Sequence, residues 1–150
     1  MTTVADGRGG TALYTPDLLA LAVSLAEWPF SEEAQFTGEA RSVACGSRVN
    51  FASSVDRNGR IDCPGLHVTA CAIGQAAAAL FAAGAAGRTR QDIAAARDAI
   101  MVWLAGDGAL PDWPGFAVLE PARAYPGRHG AIPLAWNAAL AALPKETAPR

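Results

Sequence analysis

Residues 45–71 decide the fold that we expect, and they read CGSRVNFASSVDRNGRIDCPGLHVTAC. Two β-type runs, at 47–56 and 61–69, lie on either side of a polar segment that contains Asn58 and Gly59. Asn-Gly between two such runs is the strongest short signal for a two-residue hairpin turn. The segment therefore predicts an antiparallel hairpin.

The register of this hairpin follows from its turn. Phe51 then faces Leu66 and Val49 faces Val68, so that both apolar pairs lie on one face of the sheet. A shift of one residue would break both pairs, which favours this register over its neighbours. Pro64 in the second strand cannot donate a backbone hydrogen bond, and we expect it to introduce a β-bulge.

Two of the three cysteines meet when the register is extended to the strand ends. Cys45 lies beside Cys71 at the end far from the turn, whereas Cys63 faces Ser54 close to it. Cys71 also precedes an alanine-rich run with high helix propensity. The free N–H groups at a helix start favour a thiolate, the form that binds metal or accepts sulfur. We expect a functional Cys45–Cys71 pair, with simple core packing as the alternative, and a buried structural role for Cys63.

Composition limits the class of protein. Half of the 150 residues are apolar (51%) and 17% are charged, which predicts one folded domain; we assign it to residues 13–143, between tails at 1–12 and 144–150. A net charge of −2 with scattered Lys and Arg argues against nucleic-acid binding. No apolar run predicts a membrane span, and no signal-peptide pattern is seen. Three cysteines fit a reducing compartment, so we expect a cytoplasmic protein.

The remaining patterns are mostly helical. Thr15-Pro16 predicts a helix start, residues 39–44 could add a third strand, and helical spacing dominates after Cys71. Strands cluster early and helices follow. This order predicts an α+β fold in which a small antiparallel three-stranded sheet packs on helices.

Three motifs resemble the family of iron–sulfur cluster assembly scaffolds that includes IscU, SufU and the N-terminal domain of NifU. CGS at 45–47 is similar to the family's Cys-Gly-Asp, and CAIGQAAAA at 71–79 to its cysteine at a helix start. RHGAIPLAW at 128–136 is similar to the SufU-type Arg-x-x-Cys-x-x-Leu-Ala-Trp. The resemblance covers about residues 13–143 and implies the fold of this family, with metal ligands at Cys45 and Cys71.

The chain departs from the family pattern at two ligand positions. Ser47 stands where the family has aspartate, and Ala131 stands where the third cysteine falls. His129, beside Arg128, is the nearest substitute ligand, because a neutral imidazole binds iron or zinc. The resemblance therefore implies a site of Cys45, Cys71 and His129, with one coordination position left open.

The leading hypothesis is a divergent scaffold that binds iron and sulfide, a nascent iron–sulfur cluster, or zinc, and transfers it. The resemblance implies a cysteine desulfurase and iron–sulfur acceptor proteins as partners, and leaves a homodimer open. The alternatives are a sulfur acceptor similar to SufE and a metal-free accessory protein of the same fold. A Cys–His hydrolase ranks last, since no orienting acid lies near His129 in the sequence. We therefore expect a binding and transfer protein rather than an enzyme.

Overall fold

The computed structural model describes residues 13–145, so the tail predicted at 1–12, and residues 146–150 of the second tail, lie outside the described residues. The elements, in chain order, are α1 (Pro16–Ser24), a 3₁₀ turn (Leu25–Glu27), β1 (Phe36–Arg41), β2 (Arg48–Val55), β3 (Ile61–Thr69), α2 (Ala72–Ala85), α3 (Arg90–Leu104), a 3₁₀ segment (Phe116–Ala124), α4 (Pro126–His129) and α5 (Leu134–Ala142). None of the helices in this part of the chain has the length and hydrophobicity that crossing a membrane requires.

The three strands form one antiparallel sheet in the order β1-β2-β3. The predicted α+β class is confirmed. β1 ends at Arg41, three residues before the predicted end of the third strand, because residues 42–47 form a tight loop. In that loop the Ser42 N–H donates to the Ser47 carbonyl (2.9 Å) and the Gly46 N–H donates to the Ser42 carbonyl (2.8 Å).

The β2–β3 turn differs from the predicted two-residue turn. The Asp56 N–H donates to the Arg60 carbonyl (2.9 Å), which leaves a loop of residues 57–59 with Gly59 at φ 77°. The Asp56 carboxylate accepts from the N–H groups of Asn58 (2.8 Å) and Arg60 (3.0 Å). Capture of these two donors by Asp56 favours a three-residue turn closed by a left-handed glycine over the shorter Asn-Gly turn.

The longer turn shifts the pairing of β2 with β3 by one residue, and a β-bulge at Cys63 restores the predicted pairing. Ser54 pairs with Asp62 rather than with Cys63, but beyond the bulge Phe51 pairs with Leu66 and the predicted register is confirmed. Cys63 has φ 53° and an exposed side chain, so the expectation that it is buried was wrong. The bulge next to Pro64 turns this thiol to solvent, near the carboxylate of Asp62.

The core lies between the sheet and the helices. α5 packs on β1 and β2, α2 packs on β3, and α1 packs on α2. The small side chains of α2 leave room for an aromatic cluster, in which the Phe81 ring centroid lies 5.1 Å from that of Trp136 and 5.6 Å from that of Trp113. Trp136 and Trp103 are fully buried.

The outer edge of β3 is covered by the segment that follows α1. The Leu66 N–H donates to the Trp28 carbonyl (2.9 Å), and Pro29 forms a parallel bridge with Leu66. At Gly65 a Cβ would collide with the Pro29 carbonyl, so only glycine permits this approach. The contact at Leu66 protects the middle of this edge from pairing with another strand.

Candidate functional site

A cavity of about 300 Å³ lies where β2 begins and β3 ends. Its wall brings together five of the six residues singled out in the sequence, and they come from three separate parts of the chain. The lining residues are Cys45, Gly46, Ser47, Thr69, Ala70, Cys71, Gly127, Arg128 and Ala131. The hairpin register explains the meeting of the two cysteines, because Arg48 pairs with Thr69 just inside them.

Cys45 is held by the β1–β2 loop. Gly46, at φ 73°, supplies the left-handed residue that closes the loop. The Cys45 Sγ lies 3.1 Å from the Ser47 Oγ, and Ser47 itself is only 5% exposed. The thiol is exposed, so its sulfur faces both the cavity and solvent.

The pKa of the Cys45 thiol is lowered from its ordinary value of 9.0. Burial acts to raise this pKa, but hydrogen bonds from the side chains of Ser42 and Ser47 and from the loop backbone outweigh it. Sequence reasoning missed Ser42, because it assigned this residue to a strand. Ser42 lies three residues before Cys45, and Ser47 lies two residues after it. A cysteine between two nearby serines is the sequence signal that could have identified Ser42.

Cys71 occupies the N-cap position of α2, with φ −69° and ψ 176°. Its side chain makes no capping hydrogen bond and is half-buried at the cavity wall. The Gln75 side chain bonds to the neighbouring Ala70 carbonyl (3.0 Å), which fixes the backbone just before the thiol. The sulfur of Cys71 is therefore positioned by backbone contacts and is not used by the helix cap.

The segment between α4 and α5 forms the third wall. A Cβ on Gly130 would collide with the Ser42 hydroxyl and lie 3.9 Å from the Cys45 Sγ, so the backbone here approaches the Cys45 loop closely. Ala131 is buried (2% exposed) and lies against the first turn of α2 at Gly74. Arg128 also lines the cavity, and among the described residues the lining contains no Asp or Glu.

His129 is not part of this wall. Its Nε2 donates to the Arg123 carbonyl (2.7 Å), which directs the ring toward the 3₁₀ segment. Within residues 13–145, no three His, Cys, Asp or Glu side chains are grouped as metal ligands would be. The structure therefore does not bring His129 together with Cys45 and Cys71, and the expected three-residue ligand set is not formed.

The fold is shared with three solved structures. A NifU-like protein (N-terminal) from Brucella abortus, described as nitrogen-fixing, is 28% identical, with a TM-score of 0.79 over 89% of this chain and 93% of that one. A protein from Fervidobacterium islandicum, assigned as an iron–sulfur cluster assembly scaffold for the SUF system, is 19% identical, with a TM-score of 0.72 over 84% and 93%. A third structure, of a hypothetical protein, is 19% identical, with a TM-score of 0.64 over 82% and 93%.

No protein-family model matches the chain, and a search of curated proteins finds no significant match. The structural matches nevertheless confirm the resemblance that the three motifs predict. The chain has the fold of the NifU-like and SufU-like scaffold proteins, over nearly its whole described length.

Proposed function

We propose that this chain acts in iron–sulfur cluster assembly as a divergent scaffold, which binds iron and sulfide at Cys45 and Cys71 and passes them on. The observation that carries this proposal is the placement of both thiols in one solvent-accessible cavity of this fold. Two thiolates are soft ligands that suit iron or zinc, and they supply half of a tetrahedral site. Sulfide or a partner's side chain would complete the coordination.

The partners of such a protein are a cysteine desulfurase, which delivers sulfur, and an acceptor protein, which takes the product. Support for this part comes from the SUF assignment of one protein with the same fold. Ser47 and Arg128 have supporting roles in the proposal. Ser47 stabilises the Cys45 thiolate through its hydroxyl, and Arg128 attracts anionic cargo to the cavity.

A specific observation favours a second function, that of a sulfur acceptor similar to SufE. The lowered pKa and the exposure of Cys45 suit a nucleophilic thiol, and no third ligand lines the described cavity. In this reaction the Cys45 thiolate attacks the outer sulfur of a donor persulfide, R–S–SH. A new S–S bond forms at Cys45, the donor S–S bond breaks, and the donor leaves as a thiolate, with no net oxidation.

Anaerobic reconstitution with ferrous iron and sulfide tests the leading proposal. We expect the visible absorbance of an iron–sulfur cluster and bound iron in the parent protein, and loss of both in Cys45→Ser and Cys71→Ser. Cys63→Ser is the matched control, since Cys63 lies at the bulge outside the cavity and its loss leaves binding unchanged.

Measurements of sulfur loading and of bound iron separate the two functions. A sulfur acceptor gains the mass of one sulfur atom on Cys45 when it is mixed with a desulfurase and cysteine, and it retains no iron. Absence of both iron and sulfur loading in the folded parent protein contradicts both proposals.

A further inference from the structure

We propose that the cavity also accepts sulfur directly from a free, cysteine-sized persulfide that carries a carboxylate, with Arg128 as the residue that binds the carboxylate. This inference rests on the proposed sulfur chemistry at Cys45 and names a substrate class for it. Its basis is the combination, in one small cavity, of an accessible thiol and a single cationic side chain.

The cavity lining carries charge of one sign. Arg128 is its only charged residue, and no Asp or Glu of residues 13–145 contributes to the wall. The backbone N–H of Arg128 donates to the Tyr125 carbonyl (2.8 Å), which anchors the residue in α4. A guanidinium can bind a carboxylate through two parallel hydrogen bonds.

The size of the cavity matches a small ligand. About 300 Å³ holds roughly ten groups the size of a water molecule. The persulfide of cysteine has about eight non-hydrogen atoms and fits this space, whereas the persulfide of a tripeptide thiol such as glutathione is more than twice as large. A donor the size of one amino acid therefore fits within the cavity, whereas the larger thiol would extend out of its open side.

The carboxylate and the sulfur atoms of the donor each have a complementary group in the cavity lining. With its carboxylate on Arg128, a three-carbon donor directs its sulfur atoms toward the thiols in the same wall. The Cys45 thiolate attacks the outer sulfur, the donor S–S bond breaks, and the donor leaves as a carboxylate-bearing thiolate. The outer sulfur is then bound to Cys45 as a persulfide, so atoms and electrons balance without another reactant.

Two donors of equal size test this inference: the persulfides of 3-mercaptopropionate and of 3-mercaptopropionamide. Both carry the same reactive sulfurs, and only the first has a carboxylate. The measurement is the rate at which the 150-residue protein gains the mass of one sulfur atom. We expect the carboxylate donor to react about tenfold faster, at the lower end of what a charged hydrogen bond contributes.

The preference should fall to less than about twofold in Arg128→Gln and be partly retained in Arg128→Lys. Arg41→Gln is the control, because Arg41 is an exposed cation next to the Cys45 loop that does not line the cavity and pairs with Glu39 (3.8 Å). The control should keep the full preference.

Equal rates for the two donors in the parent protein overturn the inference. A slower reaction of both donors in Arg128→Gln, with the preference intact, also overturns it, since Arg128 would then act on the Cys45 thiol alone. A lack of loading from either donor overturns it as well. In each case the iron and sulfide reconstitution decides separately whether the proposed scaffold function stands.

Discussion

Ala131→Cys should convert the two-thiol cavity into a tight zinc site. Ala131 lies in the same wall as Cys45 and Cys71, at the position where the family resemblance places the third cysteine. Four-ligand structural zinc sites in small peptides contribute about 10–16 kcal/mol, which is roughly 2.5–4 kcal/mol for each ligand.

The added sulfur also has a cost. Ala131 is only 2% exposed and packs against the first turn of α2, so one more heavy atom there costs about 1 kcal/mol of strain. This strain is present with and without zinc, so it lowers the free energy of unfolding and not the affinity for zinc. At the lower end of the range for one ligand, about 2.5 kcal/mol, the Kd for zinc falls roughly seventyfold. Ser47→Asp, added to Ala131→Cys, should lower the Kd further by supplying a carboxylate ligand beside Cys45.

The assay is an anaerobic zinc titration against a chromophoric chelator, with near-UV circular dichroism to confirm folding. Ala131→Ser is the matched control, because it adds an atom of similar size without a soft anionic ligand. An Ala131→Cys protein that is folded and binds zinc no more tightly than Ala131→Ser would refute the placement of residue 131 as a ligand position.

Three further predictions concern the thiol, the α3 cap and the sheet edge. Ser47→Ala removes a hydrogen bond that lowers the pKa of Cys45, so the midpoint of the pH dependence of Cys45 alkylation should move to higher pH. An unchanged midpoint would show that Ser47 does not act on the thiol. The N–H of Thr89 lowers the pKa of Asp92 from its ordinary value of 3.8, so this carboxylate stabilises the fold above that pH, and its contribution is lost as the pH falls through the folded pKa. In urea unfolding, the free energy of unfolding of Asp92→Asn should therefore depend less on pH in the acid range than that of the parent protein. An identical pH dependence in both proteins would contradict the capping box. Gly65→Ala should lower the free energy of unfolding by about 1–3 kcal/mol, because its Cβ meets the Pro29 backbone, and a loss below about 0.5 kcal/mol would mean that this contact yields easily.

The hairpin keeps its predicted register even though its turn is not the predicted one. A two-residue turn was predicted, and the chain forms a three-residue turn held by Asp56. The bulge at Cys63 then moves the register back, so that the Phe51–Leu66 pair is as predicted. Apolar pairing on the buried face determines the register over most of the hairpin, whereas local side-chain hydrogen bonds decide the turn.

The site was predictable where it depends on the strands and unpredictable where it depends on loops. Cys45 and Cys71 were brought together by register alone, and both line the cavity. The direction of the His129 ring is decided by the carbonyl of Arg123, which belongs to a 3₁₀ segment that periodicity did not reveal. Short-range sequence spacing therefore placed His129 near the site in the chain but could not say which way its ring turns.

The cavity wall is drawn from the β1–β2 loop, the start of α2 and the α4–α5 connection, three regions far apart in the sequence. A metal ion held by Cys45 and Cys71 would therefore act as a reversible cross-link that closes the whole β2–β3 hairpin into a loop. Unlike a disulfide, such a link is lost when the chain unfolds, so it stabilises the folded chain in proportion to the affinity of the site. Loaded and empty protein should accordingly differ in amide hydrogen exchange at the first turn of α2, and transfer of the cargo would remove this protection.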